Sequence, residues 1–160
     1  MRVVENLESP AEYLENIVKR EVGDPPERAF GRAVLVIEDD ADVANLTQFL
    51  IERYANAKCD TVQDSFEAIA ALCERKYDYL VVDHRLPGMR GIDFLITLDT
   101  YLDRDPLLSE QARFIRKMPV LVMSGARINL PRDLTLNHFE IRDVIHKSEL
   151  TEKLRQIFAS

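Results

Sequence analysis

Chemistry in this sequence concentrates where short apolar runs stop at polar residues. Tyr79-Leu80-Val81-Val82 runs into Asp83, and His84-Arg85-Leu86-Pro87-Gly88 follows. Val34-Leu35-Val36-Ile37 ends in Glu38-Asp39-Asp40, Val120-Leu121-Val122-Met123 in Ser124-Gly125, and the last run, through His146, in Lys147. Brought together, Glu38, Asp39 and Asp83 would repel one another, and some would stay protonated unless a cation compensated. Such an oxygen-rich set with few protein ligands suits Mg²⁺. Lys147 adds a point positive charge suited to a carboxylate or a phosphoryl oxygen, and Ser124 adds a hydroxyl donor. A carboxylate nucleophile beside a metal and a cation is equipment for phosphoryl transfer. Taken singly, each residue also has a plain reading: Asp83 opens a turn, Lys147 is a solvated lysine at a strand end, and Ser124 is a turn serine.

The elements that must position these residues are legible in the spacing. The apolar runs are short and uninterrupted, as expected of strands buried on both faces. Strands are read at 33–37, 58–62, 79–83, 119–123 and 141–146. Between them lie helical patterns: one with Val43, Leu46, Leu50, Ile51 and Tyr54 on a single face, and one opened by Asp64 and Glu67 with Phe66, Ile69, Ala70, Cys73 and Tyr77 inside. A third begins near Gly91 with Leu95, Leu98 and Leu102. A weaker one covers about 132–139 after Pro131, and a last one, capped by Ser148, places Leu150, Leu154, Ile157 and Phe158 inside. The segment 103–118 is charged, contains Pro106 and is expected to hold an extra helical turn or short helix. Alternating strands and helices imply right-handed crossovers and a doubly wound parallel sheet. In such a sheet all strands end at one edge, where ligands collect. His84 and His146 flank site residues within strands, so alternation points their side chains away; His138 reads as a helix-surface residue, and Asp40 as a helix-start residue.

Residues 1–32 read as an amphipathic helix and linker preceding a domain over 33–160. Ser9, Pro10 and Glu12 form a helix start, Leu14, Ile17 and Val18 supply an apolar stripe, and Gly23 with Pro25-Pro26 ends it. A helix of this length is marginal alone, so it is expected to dock on the domain or to mediate a homodimer. The chain of 160 residues is one domain by length, with room for a small appendage. A formal net charge of −7 argues against nonspecific binding to nucleic acid or an anionic membrane. No apolar run approaches the roughly 20 residues of a membrane span. The charged N-terminus lacks a signal-peptide core, so a cytoplasmic location is expected. Cys59 and Cys73 lie in core segments without metal or redox spacing and read as two reduced, buried thiols.

Four stretches in order carry a family resemblance: Val-Leu-Val-Ile-Glu-Asp-Asp at 34–40, Val-Val-Asp-His-Arg-Leu-Pro-Gly-Met-Arg-Gly at 81–91, Val-Met-Ser-Gly-Ala at 122–126 and His-Lys at 146–147. From about residue 33 to 158 the chain resembles the receiver domain of two-component response regulators, the CheY-like family. The resemblance implies a flavodoxin-like α/β fold, a five-stranded parallel sheet in the order 2-1-3-4-5. It implies Asp83 as phosphoacceptor and Asp39, Glu38 and Asp83 as Mg²⁺ ligands together with the backbone carbonyl of Arg85. Ser124 would be the hydroxyl that moves toward the phosphoryl group, and Lys147 the cation that contacts it. The side chain of Arg85 is expected to lie over the phosphoryl site and alter its lifetime.

By the same resemblance the protein is a phosphoacceptor assisting its own phosphotransfer rather than an enzyme on a separate substrate. Its partners would be a sensor histidine kinase or histidine phosphotransfer protein and a downstream protein. With no effector domain expected after the last helix, output would be protein–protein contact through the fourth helix, fifth strand and fifth helix. Three features depart from the family: Val144 replaces the usual aromatic switch residue, Ser148 replaces a proline, and the segment before the fourth strand is longer. They leave open an alternative, a receiver-like interaction module independent of phosphorylation. A phosphatase of the haloacid dehalogenase type would need a second Asp two residues after Asp83, where Arg85 stands.

Overall fold

The computed structural model describes residues 32–158. The helix and linker expected over 1–32 lie outside the described residues, apart from Arg32. Strands β1 (Arg32–Ile37), β2 (Ala57–Val62), β3 (Tyr79–Asp83), β4 (Met118–Ser124) and β5 (Phe139–His146) form one sheet. Helices are α1 (Ala41–Ala55), α2 (Ser65–Glu74), α3 (Gly91–Arg104), the short α4 (Pro106–Gln111) and α5 (Leu150–Phe158). The strand order is β2-β1-β3-β4-β5, every pairing parallel. This is the flavodoxin-like, CheY-like order expected. The short helix in the longer segment is α4, capped by Asp105, whose carboxylate accepts from Leu107 N and Leu108 N.

Strand alternation divides the core into two layers. Leu35, Ile37, Leu80, Val82, Val120 and Val122 pack toward α2 and α3. Val34, Val36, Val81, Leu121, Met123 and Ile145 pack toward α1 and α5. Asp40 caps α1 by accepting from Asp42 N and Val43 N, and Asn56 ends it in the left-handed region with φ 48°. Among the described residues no helix is long and apolar enough to cross a membrane.

The structure corrects three expectations. First, α2 is rotated relative to the face read from sequence: Ala68 and Leu72 are buried, Phe66 is 83% exposed and Ala70 is also exposed. Asp64 fixes the start of the helix by accepting from Glu67 N, and Ala68 and Leu72, four apart, then face the sheet together. Second, Cys59 is buried but Cys73 only half-buried; both are free thiols.

Third, the helix expected over 132–139 is absent. Residues 125–138 cross from β4 to β5 without a helix, and β5 starts at Phe139, earlier than the expected residue 141. Tertiary hydrogen bonds take the backbone groups a helix would use. The buried carboxylate of Asp99, on α3, accepts from Asn137 N at 3.0 Å and His138 N at 2.7 Å. Lys117 Nζ donates to the Leu136 carbonyl at 2.8 Å. Asp103 accepts from Asn137 Nδ2 at 2.8 Å and lies 2.8 Å from His138 Nε2. His138 is therefore a clamp residue at the end of the crossover, not a helix-surface residue. An output face containing a helix between β4 and β5 does not exist here; β5 and α5 remain.

Asp99→Ala would leave two backbone N–H groups without their acceptor in a buried setting. It is expected to lower stability by about 2–3 kcal/mol, read as a fall in the urea midpoint. An unchanged midpoint would show that other contacts hold the crossover.

Candidate functional site

The parallel sheet delivers its polar strand ends to one edge. Ile37 pairs with Val82, Asp83 with Met123 and Ser124 with His146. Glu38 directly follows β1 and extends its pairing through Glu38 N to the Val62 carbonyl at 3.0 Å. Glu38, Asp83 and Ser124 are all buried, whereas Asp39 is exposed. Lys147 Nζ reaches back into this group, 3.1 Å from Asp83 Oδ2 and 3.0 Å from Glu38 Oε2. The structure thus brings Glu38, Asp83 and Lys147 into direct contact. It sets Asp39 beside them: the carboxylates of Glu38, Asp39 and Asp83 offer oxygens all within 4.8 Å of one another.

The electrostatics follow from burial. Desolvation pushes the Glu38 carboxyl up to about 7, against the opposing pull of Lys147. Burial draws the Lys147 ammonium down, but its ion pair with Glu38 and its hydrogen bond to Asp83 more than offset this and hold it above its ordinary value. Glu38 Oε1 accepts from Asp40 N at 3.1 Å. Glu38 Oε2 is buried and, although close to Lys147, has no aligned hydrogen-bond donor among the described residues. A buried carboxylate oxygen short of donors, facing two further carboxylates of which one is exposed, is a donor set that fits a small hard cation such as Mg²⁺.

The turn after Asp83 is shaped around it. Arg85 N donates to Asp83 Oδ1 at 3.3 Å. Arg85 and Leu86 pair antiparallel with Arg90 and Met89 across Pro87-Gly88, with Gly88 at φ 79°. Gly91 N then donates to the His84 carbonyl at 2.7 Å. A Cβ on Gly91 would overlap the Asp83 carbonyl oxygen and lie 3.1 Å from Val82 Cγ2. Only glycine lets the first turn of α3 come this close to Asp83. The sequence reading missed this role, although a glycine at the start of a helical pattern is the signal that would have found it.

The remaining site residues stand as follows. Ser124 Oγ accepts from Ala126 N at 3.1 Å. The Arg85 side chain is exposed and Val144 is half-buried. Ser148 N donates to His146 Nδ1 at 3.2 Å, a bond that a proline there would remove. His84 packs with its Nδ1 buried and without a hydrogen-bond partner among the described residues.

Residues 34–159 match the response regulator receiver domain family. Over 60 residues the chain is 35% identical to the transcriptional regulatory protein ResD of Bacillus subtilis, a match covering 38% of this chain and 25% of that protein. The chain therefore spans about a quarter of that curated relative. Among solved structures, a CheY-like receiver domain from Methylobacillus flagellatus aligns with TM-score 0.56 at 20% identity, covering 81% of this chain and 96% of that one. The receiver domain of a sensor histidine kinase from Pseudomonas aeruginosa, with a magnesium ion coordinated in its active-site cleft, aligns with TM-score 0.53 at 18% identity. It covers 81% and 99% of the two chains. At these identities the structural likeness speaks to the fold.

Two expectations come from the geometry. Gly91→Ala should force α3 away from Asp83 and lower stability by about 2 kcal/mol, measured by thermal or urea unfolding; an unchanged midpoint would show that the turn absorbs the methyl. In metal-free protein the raised Glu38 contributes stability that is full below its unfolded value near 4.5 and is lost as pH rises through about 7. Urea unfolding in a chelator should therefore show stability falling between those pH values by up to about 3 kcal/mol. Glu38→Gln should flatten that slope, and an equal slope in the variant would place the titration elsewhere.

Proposed function

The chain belongs to the response regulator receiver domain family of two-component signalling, and on that footing we propose that Asp83 is its phosphoacceptor. The observation that carries this is the contact of Lys147 Nζ with both Asp83 and Glu38 at the sheet's carboxyl edge. The donor is a phosphohistidine on a sensor histidine kinase or a histidine phosphotransfer protein. An Asp83 carboxylate oxygen attacks the phosphorus, the bond from phosphorus to the histidine nitrogen breaks, and the leaving imidazole keeps the electron pair and takes up a proton. Lys147, already held above its ordinary value, stays charged and stabilises a phosphoryl oxygen. The Ser124 hydroxyl, whose lone pair accepts from Ala126 N, donates its own O–H to the same group.

Glu38, Asp39 and Asp83, with the Arg85 backbone carbonyl, would hold Mg²⁺, which when bound neutralises charge on the phosphoryl oxygens. The likeness to a receiver with magnesium in its cleft supports this assignment. The protein then acts as a switch that catalyses its own modification, not as an enzyme on a separate substrate. Output is contact with a downstream protein, and the location is cytoplasmic, where such a kinase would present its phosphohistidine. Because no helix separates β4 from β5, the surface read by that partner is built from α5 and the open edge of β5.

The test is intact mass after incubation with acetyl phosphate and Mg²⁺. The wild type should gain one phosphoryl group, Asp83→Asn none, and Lys147→Gln should gain it more slowly. No gain in the wild type would overturn the proposal and favour the phosphorylation-independent module, to which the half-buried Val144 in place of an aromatic switch also points.

A further inference from the structure

One part of the layer that holds α2 and α3 is thinly covered. On β1, β3 and β4 the apolar side chains facing this layer are almost all fully buried, but on β5 Ile141 and Val144 are only half-buried. Ile128, Leu130 and Leu134 of the neighbouring crossover share that state. The cause is the crossover itself: parallel strands normally gain a covering helix from such a connection, and residues 125–138 supply none. Two cavities line up along the strand in consequence. The lower, about 270 Å³, is lined by Leu130, Leu134, Phe139 and Ile141. The upper, about 430 Å³, is lined by Ile128, Val144 and His146, the last of these next to Lys147.

The sequence holds a segment without an assigned place. Residues 9–22 carry a helix start and the apolar stripe of Leu14, Ile17 and Val18. We propose that residues 9–22 of this chain dock as a helix along β5, covering the face that the helix-free crossover leaves open. The lengths match: a helix over 9–22 spans about 21 Å, and the eight residues of β5 span about 26 Å. The tether also matches. The described chain starts at Arg32, at the amino end of β1, and Phe139 begins β5 at the same edge of the parallel sheet. From β1 to β5 is three strand spacings, about 14 Å, and residues 23–31 can extend to about 30 Å. The linker holds the end of the helix near Val22 at the lower cavity, so the segment near Ser9 lies at the upper one, beside Lys147. A phosphorylation-linked change at Lys147 would then be felt by the docked helix.

The test is amide hydrogen exchange on the full chain, wild type against a Leu14→Glu/Ile17→Glu double variant, with solution mass measured for both. Exchange across 126–144 should rise about tenfold in the variant, while 33–37 and 79–83 keep their protection and so report an intact core. Equal exchange across 126–144 would overturn the proposal. So would a change confined to Tyr79 and Ile157, which line a cavity on the other face of the sheet beside Arg32. A wild-type mass of two chains, with the protection of 126–144 lost on dilution to one chain, would also overturn it by showing that a second copy covers β5.

Discussion

The contact of one ammonium with two buried carboxylates constrains the rest of the molecule. Lys147 Nζ lies within 3.1 Å of both Asp83 and Glu38. Burial, with the charge of the neighbouring Asp83, pushes the Glu38 carboxyl up. Their arrangement holds only because a cation is fixed between them and the backbone supplies donors: Arg85 N to Asp83 and Asp40 N to Glu38. Every such group is set by a strand end or the residue beyond it, so the site needs the sheet to keep its register. Buried charge held by one partner is costly to keep and more costly to break. Under the proposed phosphorylation, a new negative group on Asp83 would have to redirect Lys147.

Close approach is the second constraint. α3 starts at Gly91, whose Cα lies against the Asp83 carbonyl, so the turn between them is short and its backbone is tied at His84 and Arg85. The same helix carries Asp99 and Asp103 farther along, and these hold the crossover that precedes β5. One element thus touches Asp83 at its first turn and fixes the route into the strand that leads to Lys147. A displacement of α3 at one end is carried to the other by packing rather than by a flexible link.

Two of the three departures from the family, Val144 and Ser148, lie together. Val144 and Ser148 flank His146 and Lys147, and the helix-free crossover packs beside them. Ser148 gives the turn after β5 a backbone donor that His146 accepts. The acidic edge keeps Glu38, Asp39 and Asp83, while the end of the sheet beside Lys147 differs.

Much of this was legible in the chain itself. Uninterrupted apolar runs ending in Glu38, Asp83 and Ser124 determine parallel strands and a polar edge, because a strand buried on both faces tolerates no polar residue until it leaves the sheet. Local chemistry likewise determined the helix starts at Asp40 and Asp64. What the sequence left undetermined depends on partners distant along the chain. The segment 132–139 has a weak helical pattern, and it stays unwound because Asp99, far back on α3, takes the backbone donors of Asn137 and His138. The inner face of α2 turned on which of several apolar residues meets the sheet, and Phe66 lost to Ala68 and Leu72. Periodicity shows that a face exists; only packing selects which face, and only the folded chain brings a buried carboxylate to another segment's backbone.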